Sequence, residues 1–351
     1  MNSALPHAST RLIPCLIAAL LLGLIAGCTA MPLHPDATRL ASTGQATFET
    51  TANFYSTMSV AVDGMLEEEL LGTALDAAAS RCIKEQASDS CVKAAGRVRA
   101  QSVVSRDLRL KWQAALEARR SLAAAIGGLY VNYGTLADAN YASTIATKGS
   151  DLVATINGVK ANALPAGSGD AVGQLLAPVA TLLQDRNLAA GEAGLEQVAT
   201  AFNAFFAAEL PAWRTIAVQW DESLSQNITY LLQLGFASAP EASAKILQDR
   251  GLQPGARDLL SNPVTGAGAT SVLLLHASSM TSAAAAAAGT TSSALQSLQA
   301  AHQAFPAQLS DVDATLAFVA QTQSYLDMIA QWRSAHREPA NAAAPFPPII
   351  H

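Results

Sequence analysis

Two cysteines, Cys82 and Cys91, are spaced so that they could react with each other. On one straight helix this separation of nine residues would hold their Cα atoms about 13 Å apart, whereas a disulfide tolerates about 4.4–6.8 Å. The chain must therefore reverse between them, and residues 86–90 (QASDS) supply turn residues and a helix cap. We expect a structural Cys82–Cys91 disulfide rather than a redox-active pair, because the sequence has no CxxC spacing and no thioredoxin-like pattern.

The first 28 residues have the layout of an export signal. Arg11 precedes the apolar run 12–27, which is shorter than the roughly 20 residues that a membrane-spanning helix needs. The run ends in Ile25-Ala26-Gly27-Cys28, which resembles the lipobox of bacterial lipoproteins. The resemblance is limited to residues 1–28 and implies a signal peptide at 1–27 and lipid attachment, including palmitate, at Cys28. An ordinary signal peptide and a short anchor helix are the alternatives.

The same resemblance implies a location. In this family an aspartate directly after the cysteine tends to retain the protein at the inner membrane, and here that position is Thr29, which favours the outer membrane and the periplasm. A cysteine that carries two or more acyl chains anchors a protein stably. Export also places the remaining pair, Cys82 and Cys91, in an oxidising compartment, which favours their disulfide.

The charge balance of the sequence disfavours a nucleic acid partner. The chain has 21 Lys and Arg against 27 Asp and Glu, and loss of residues 1–27 removes only Arg11 from this balance, so the mature protein is near −7. We therefore expect no nucleic acid partner. The basic clusters at 106–111 and 119–120 are interleaved with acidic residues, and we interpret them as solvated helix faces. The same interpretation applies to the acidic run 67–69.

Motifs that would mark an enzyme are missing from the sequence. It contains no HExxH, no zinc-ligand spacing, no GxSxG and no GxxxxGK[ST]. We predict no catalytic residue, no metal site, no cofactor and no enzymatic activity. His276 and His302 are interpreted as core histidines bonded to neighbouring Ser or Thr. Trp213 and Trp220 have core spacing, with a ligand-stacking platform as the alternative.

Apolar residues at heptad-like intervals predict an all-α protein, an elongated bundle of long antiparallel helices with coiled-coil-like packing. We expect a tether at 28–35, a helical bundle at 36–337 whose best internal break is 164–169, and a Pro-rich tail at 338–351. The second helix is expected to begin near Cys91. Its apolar stripe allows it to continue through residue 156. The remaining expected helices are 36–85, 170–184, about 195–231 with a kink at Pro211, 241–250 and about 306–336.

Residues 259–310 contain no Asp, Glu, Lys or Arg over 52 positions. One interpretation is a central helix, or a hairpin that turns near Gly289-Thr290-Thr291, enclosed by its neighbours. The other is a concealed membrane-inserting hairpin, as in helical pore-forming toxins. We favour burial because the Ser and Thr content and His276 make each half a poor transmembrane segment.

These features predict a structural or adaptor lipoprotein that contacts the membrane through its lipid and offers helix surfaces to an envelope protein. One alternative is a membrane-active bundle that releases the 259–310 hairpin. Another is a small-ligand binder whose cavity is lined by Trp213 and Trp220.

Overall fold

The computed structural model describes residues 35–77, 89–134, 152–162, 188–233, 263–304 and 310–336. Each of these segments is helical, so the all-α class is confirmed for the described residues. The helices are α1 (Pro35–Ala77), α2 (Asp89–Gly134), α3 (152–161), α4 (Leu188–Gln233), α5 (Pro263–Ala304) and α6 (Ser310–His336).

Four long helices, α1, α2, α4 and α6, lie where the apolar stripes predict them. Helix α1 begins at Pro35, where proline is tolerated because the first turn leaves its N–H groups unused. Helix α4 continues through Pro211, and the kink expected there stays a prediction. Several expected segments lie outside the described residues: the signal peptide, most of the tether, the possible continuation of the second helix through 135–151, the break at 164–169, the helices at 170–184 and 241–250, and the tail.

Of the two forms considered for the enclosed segment, the central helix is the one observed, because α5 runs without a break through Gly289-Thr290-Thr291, and the alternative hairpin is wrong. The threonine hydroxyls donate to carbonyls one turn earlier, Thr290 to Ala286 at 3.0 Å and Thr291 to Ala287 at 2.7 Å. Both threonine hydroxyls therefore have hydrogen-bond acceptors within the helix, and the chain can stay helical at these positions without leaving them unpaired. Burial of this segment is confirmed around residues 280–302, where small side chains face the core. No described helix is both long enough and apolar enough to cross a membrane.

Helix α1 lies in the middle of the bundle and contacts α2, α4, α5 and α6. Residue numbers rise along α1 as they fall along α2, so these two helices run in opposite directions. The pairs that show this are Gly44 with Tyr130, Phe48 with Gly127, and Asp63 with Arg109. Helix α4 runs with α1, as the contacts of Phe48 with Phe202 and Phe54 with Trp213 show, and against α5, as Asn203 with Gln299 and Asp221 with Thr281 show.

Two glycines of α1 make room for large rings from neighbouring helices. A Cβ at Gly64 would lie 2.5 Å from the Trp220 ring of α4, and a Cβ at Gly44 would overlap the Tyr130 ring of α2. Both glycines are helical, so they are required by close packing rather than by an unusual backbone conformation.

Candidate functional site

Of the site residues predicted from the sequence, Cys91 alone lies in the described part of the chain. It is the third residue of α2, and it is 7% exposed. Cys28 and Cys82 lie outside the described residues. Lipid attachment at Cys28 and the Cys82–Cys91 disulfide therefore stay predictions.

An enclosed ion pair lies in the centre of the bundle. Arg119 of α2 and Glu209 of α4 are both 0% exposed, and Nε of the arginine donates to Oε1 of the glutamate at 2.6 Å. Tyr55 of α1 donates from its hydroxyl to the other carboxylate oxygen at 3.2 Å. Arg119 Nη1 also donates to the carbonyls of Ala115 and of Asn162, which follows α3, both at 2.9 Å. The guanidinium thus connects α2 to α4 and to the end of α3.

Burial determines the protonation of this cluster. Loss of solvent raises the pKa of Tyr55 well above its usual value, and the negative charge of Glu209 raises it further. Tyr55 therefore stays a neutral hydrogen-bond donor. Arg119 also lies 5.7 Å from the centre of the Phe205 ring, a cation–π distance. Because the charged groups are shielded from solvent, the cluster holds helices together and offers no access to a substrate.

The interpretation of residues 119–120 as a solvated face is wrong for Arg119. This residue follows Trp112 by seven positions and precedes Leu122 by three, so it belongs to the same buried stripe. Arg120 points the other way, is 46% exposed and pairs with Glu117 at 2.5 Å. The spacing from Trp112 was the signal in the sequence that could have found Arg119.

His302 of α5 is a core histidine, as expected, but its partner differs from the expected Ser or Thr. The side chain is 4% exposed, and Nε2 lies 2.7 Å from the hydroxyl of Tyr130 of α2. Burial lowers the pKa of His302 to about 4, so the imidazole is neutral at pH 7. The side chain of His276 lies outside those that the structure describes.

Both tryptophans of α4 are core residues, as their spacing predicts. Trp213 is 0% exposed and Trp220 is 1% exposed. The Trp213 ring packs against Phe54, Tyr55 and Trp112 with centroid distances of 5.9–6.0 Å. Protein side chains therefore occupy the faces that a ligand platform would need, which disfavours the ligand-binding alternative.

The acidic run 67–69 is only partly solvated. Glu67 is exposed and pairs with Arg109 at 2.6 Å, whereas Glu68 accepts a hydrogen bond from Asn227 of α4 at 2.7 Å. Burial raises the pKa values of Glu68 and Glu69. Consecutive residues fan around a helix, which turns Glu68 towards α4. Within the described residues, no group of three His, Cys, Asp or Glu side chains could hold a metal ion.

An open groove lies between α1 and α2. One part, of about 120 Å³, is lined by residues of both helices, including the paired Glu67 and Arg109: Leu66, Glu67 and Leu70 of α1, and Ser102, Ser105, Arg106 and Arg109 of α2. The other part, of about 260 Å³, lies nearer the start of α1 and is lined by Tyr55, Ser56 and Ser59 of α1 and by Gln113, Leu116, Glu117 and Arg120 of α2. Lining residues on each helix recur at intervals of three and four, so both parts lie on one side of the pair. We call them together the α1–α2 groove.

Helix α2 differs from the other long helices in charge. It carries eight of the chain's 21 Lys and Arg but three of its 27 Asp and Glu, so its formal charge is +5 and that of the rest is −11. Helices α1, α4 and α6 are each net negative, and α5 has no Asp, Glu, Lys or Arg. The positive charge is therefore concentrated on one helix.

No protein-family model matches this chain, and neither a curated protein nor a solved structure is significantly similar to it. The lipobox resemblance concerns residues 1–28, which lie outside the described residues. Function must therefore be inferred from the residues and their geometry.

Proposed function

We propose that the protein is a non-enzymatic adaptor lipoprotein, anchored in the outer membrane through Cys28, which faces the periplasm and binds another envelope protein through its helix surfaces. The bundle that presents these surfaces is elongated and antiparallel, with coiled-coil-like packing. One observation carries the proposal: α2 exposes large apolar side chains to solvent. The most exposed are Val92, Val103, Val104 and Leu110, with exposures from 49% to 65%.

Val92, Val103 and Leu110 are eleven and seven positions apart, spacings that put them on one side of α2, and exposed apolar residues framed by polar ones are found at protein interaction sites. Here they share one helix with five of its exposed basic residues, Lys93, Arg97, Arg99, Arg106 and Lys111. The interior supports the same conclusion, because the space around Trp213 is filled and the Arg119–Glu209 pair is enclosed. The surface of α2 is thus the feature best suited to binding.

In-cell photo-crosslinking tests the adaptor function. A benzophenone amino acid is placed at position 103 or 110 of α2, and at position 218 of α4, where Val218 is a matched exposed apolar residue at 52%. We expect both α2 positions, but not position 218, to capture the same envelope protein, identified by mass spectrometry. Capture of no protein from either α2 position would refute the adaptor function.

The anchor has its own test. Cys28→Ser removes the acyl acceptor, so variant protein that has lost residues 1–27 should appear in the soluble periplasmic fraction instead of the membrane fraction. Ser3, which precedes the apolar run, provides the matched control position: Ser3→Ala should leave fractionation unchanged. A mature Cys28→Ser protein, shown by mass spectrometry to lack residues 1–27, that still partitions fully into membranes would show that the anchor is assigned wrongly.

A further inference from the structure

We propose that a pocket between α1, α2 and α4 binds a linear polyamine, whose amines pair with the carboxylates of Glu69 and Asp76. We call it the three-helix pocket, and its volume is about 380 Å³. This inference is separate from the adaptor function, which rests on the exposed apolar residues of α2. The pocket is lined by Glu68, Glu69, Gly72, Thr73 and Asp76 of α1, by Gln101 of α2, and by Ser223, Gln226, Asn227 and Tyr230 of α4.

The lining of the three-helix pocket is negatively charged. It includes three carboxylates and no Lys, Arg or His. Among the described residues, no basic side chain pairs with Glu69 or Asp76, whereas the neighbouring Glu67 pairs with Arg109. Burial raises the pKa values of Glu68 and Glu69, and no basic neighbour lowers either value. A bound cation would supply the missing positive charge.

A second observation, at Asn227, points to a ligand that donates hydrogen bonds. This residue is 2% exposed, and its Nδ2 donates to the carbonyl and to Oε2 of Glu68, both at 2.7 Å. Both partners are acceptors, which fixes the orientation of the amide. Its Oδ1 accepts no hydrogen bond from any residue that the structure describes, and a Cβ at Gly72 would lie only 3.0 Å from it. Oδ1 is therefore a fixed acceptor at the pocket wall, available to an N–H group of a ligand.

The spacing along α1 favours an extended ligand. Glu69 and Asp76 are seven residues apart, so they share one side of the helix and are separated by about 10 Å along its axis. Gly72 lies between them and has no side chain that would obstruct a chain lying along α1. Carboxylates this far apart cannot converge on one metal ion, whereas two amines of one polyamine can reach both. Tyr230 contributes an aromatic side chain, and ammonium groups are attracted to aromatic rings.

Isothermal titration calorimetry of the full-length protein in a non-ionic detergent tests the proposal, with spermidine, propylamine and magnesium chloride as separate titrants. Glu69→Gln and Asp76→Asn each remove one carboxylate, and Gln226→Trp fills the pocket from an exposed position without a change of charge. The matched controls are Glu67→Gln and Thr229→Trp, because both residues are exposed and neither lines the three-helix pocket. Circular dichroism and thermal melting show that each variant compared keeps the wild-type fold.

We expect one spermidine to bind per chain with a Kd below about 1 mM. Each of the three pocket variants should raise this Kd by about tenfold, because each removes a charge-assisted hydrogen bond or the space for the ligand. The two controls should change it by less than about threefold. Propylamine, which has one amine, and Mg²⁺ should each bind at least about tenfold more weakly than spermidine.

No binding at about 10 mM spermidine would overturn the proposal, and so would equal affinity in the pocket variants and the controls. Propylamine or Mg²⁺ that binds as tightly as spermidine would also overturn it, since the pocket would then not select separated amines. The crosslinking from α2 is measured independently, so failure of polyamine binding is distinguishable from failure of the adaptor function.

Discussion

Replacing Arg119 by methionine should be among the most destabilising single changes in this protein. The methionine fills much of the space but leaves the Glu209 carboxylate, 0% exposed, without the guanidinium 2.6 Å away. Removal of one partner from a buried ion pair costs about 3–5 kcal/mol. At about 2–4 °C per kcal/mol, the midpoint of thermal unfolding should fall by roughly 6–20 °C.

The double variant Arg119→Met/Glu209→Leu separates charge burial from packing. It removes both charges, so it should be more stable than either single variant, although the Tyr55 hydroxyl then loses its acceptor at a cost of about 1–3 kcal/mol. Adding Tyr55→Phe should recover part of that cost. Arg120→Met is the matched control, because this neighbouring arginine is 46% exposed and its surface pair with Glu117 contributes about 0–1 kcal/mol.

Urea unfolding followed by far-UV circular dichroism gives the free energy of unfolding for the wild type and the five variants, which include the single Glu209→Leu. Two results would refute the reasoning. One is an Arg119→Met variant within about 1 kcal/mol of the wild type, since a buried pair cannot be that tolerant. The other is a double variant whose loss equals the sum of the single losses, because the two residues would then be uncoupled.

Gly64→Ala should lower the free energy of unfolding by about 1–3 kcal/mol through overlap with a tryptophan ring, whereas Gly96→Ala, with nothing within 4 Å, should raise it by up to about 1 kcal/mol. Similar urea midpoints for both variants would contradict this. The pKa of His302 is about 4 in the folded protein, which is below its value in the unfolded chain. Protonation therefore favours the unfolded chain, and the free energy of unfolding should fall by about 3 kcal/mol as the pH drops from about 6.5 towards 4. His302→Gln should therefore lose less stability than the wild type between pH 7 and pH 5 in urea titrations, and an unchanged slope would rule this out. Thiol labelling of the native exported protein should modify neither Cys82 nor Cys91 until reductant and denaturant are added, and labelling of both without them would exclude the disulfide.

The long helices could be predicted because apolar spacing is a local property of the sequence. The stripes around Trp112 and Trp213 locate α2 and α4, and the same spacing places both tryptophans in the core. The sequence left open whether residues 289–291 belong to a central helix or to the turn of a hairpin, and the helix is observed. Gly-Thr-Thr is a turn signal in isolation, but Thr291 is 1% exposed, and its hydroxyl is satisfied within the helix.

The interior ion pair and the groove could not be derived from the sequence in the same way. Arg119 has a carboxylate partner 90 residues away, and nothing local in the sequence selects Glu209 among the 27 acidic residues. The groove depends on which residues of α1 face which residues of α2, and that register comes from packing around Gly44 and Gly127. Local patterns specify helices, whereas register and long-range pairs arise only in the folded chain.

The unbroken length of α1 determines how far the α1–α2 groove lies from the start of the helix. The helix has 43 residues, and Asp63, midway along the α1–α2 groove, is 28 positions from its start. At 1.5 Å per residue, α1 can hold the groove up to about 42 Å from the point where the chain leaves its tether. If Cys28 carries a lipid, the length of α1 would set the distance from the bilayer at which a partner binds. Removing seven residues from α1 would shorten that reach by about 10 Å while keeping its apolar stripe in phase.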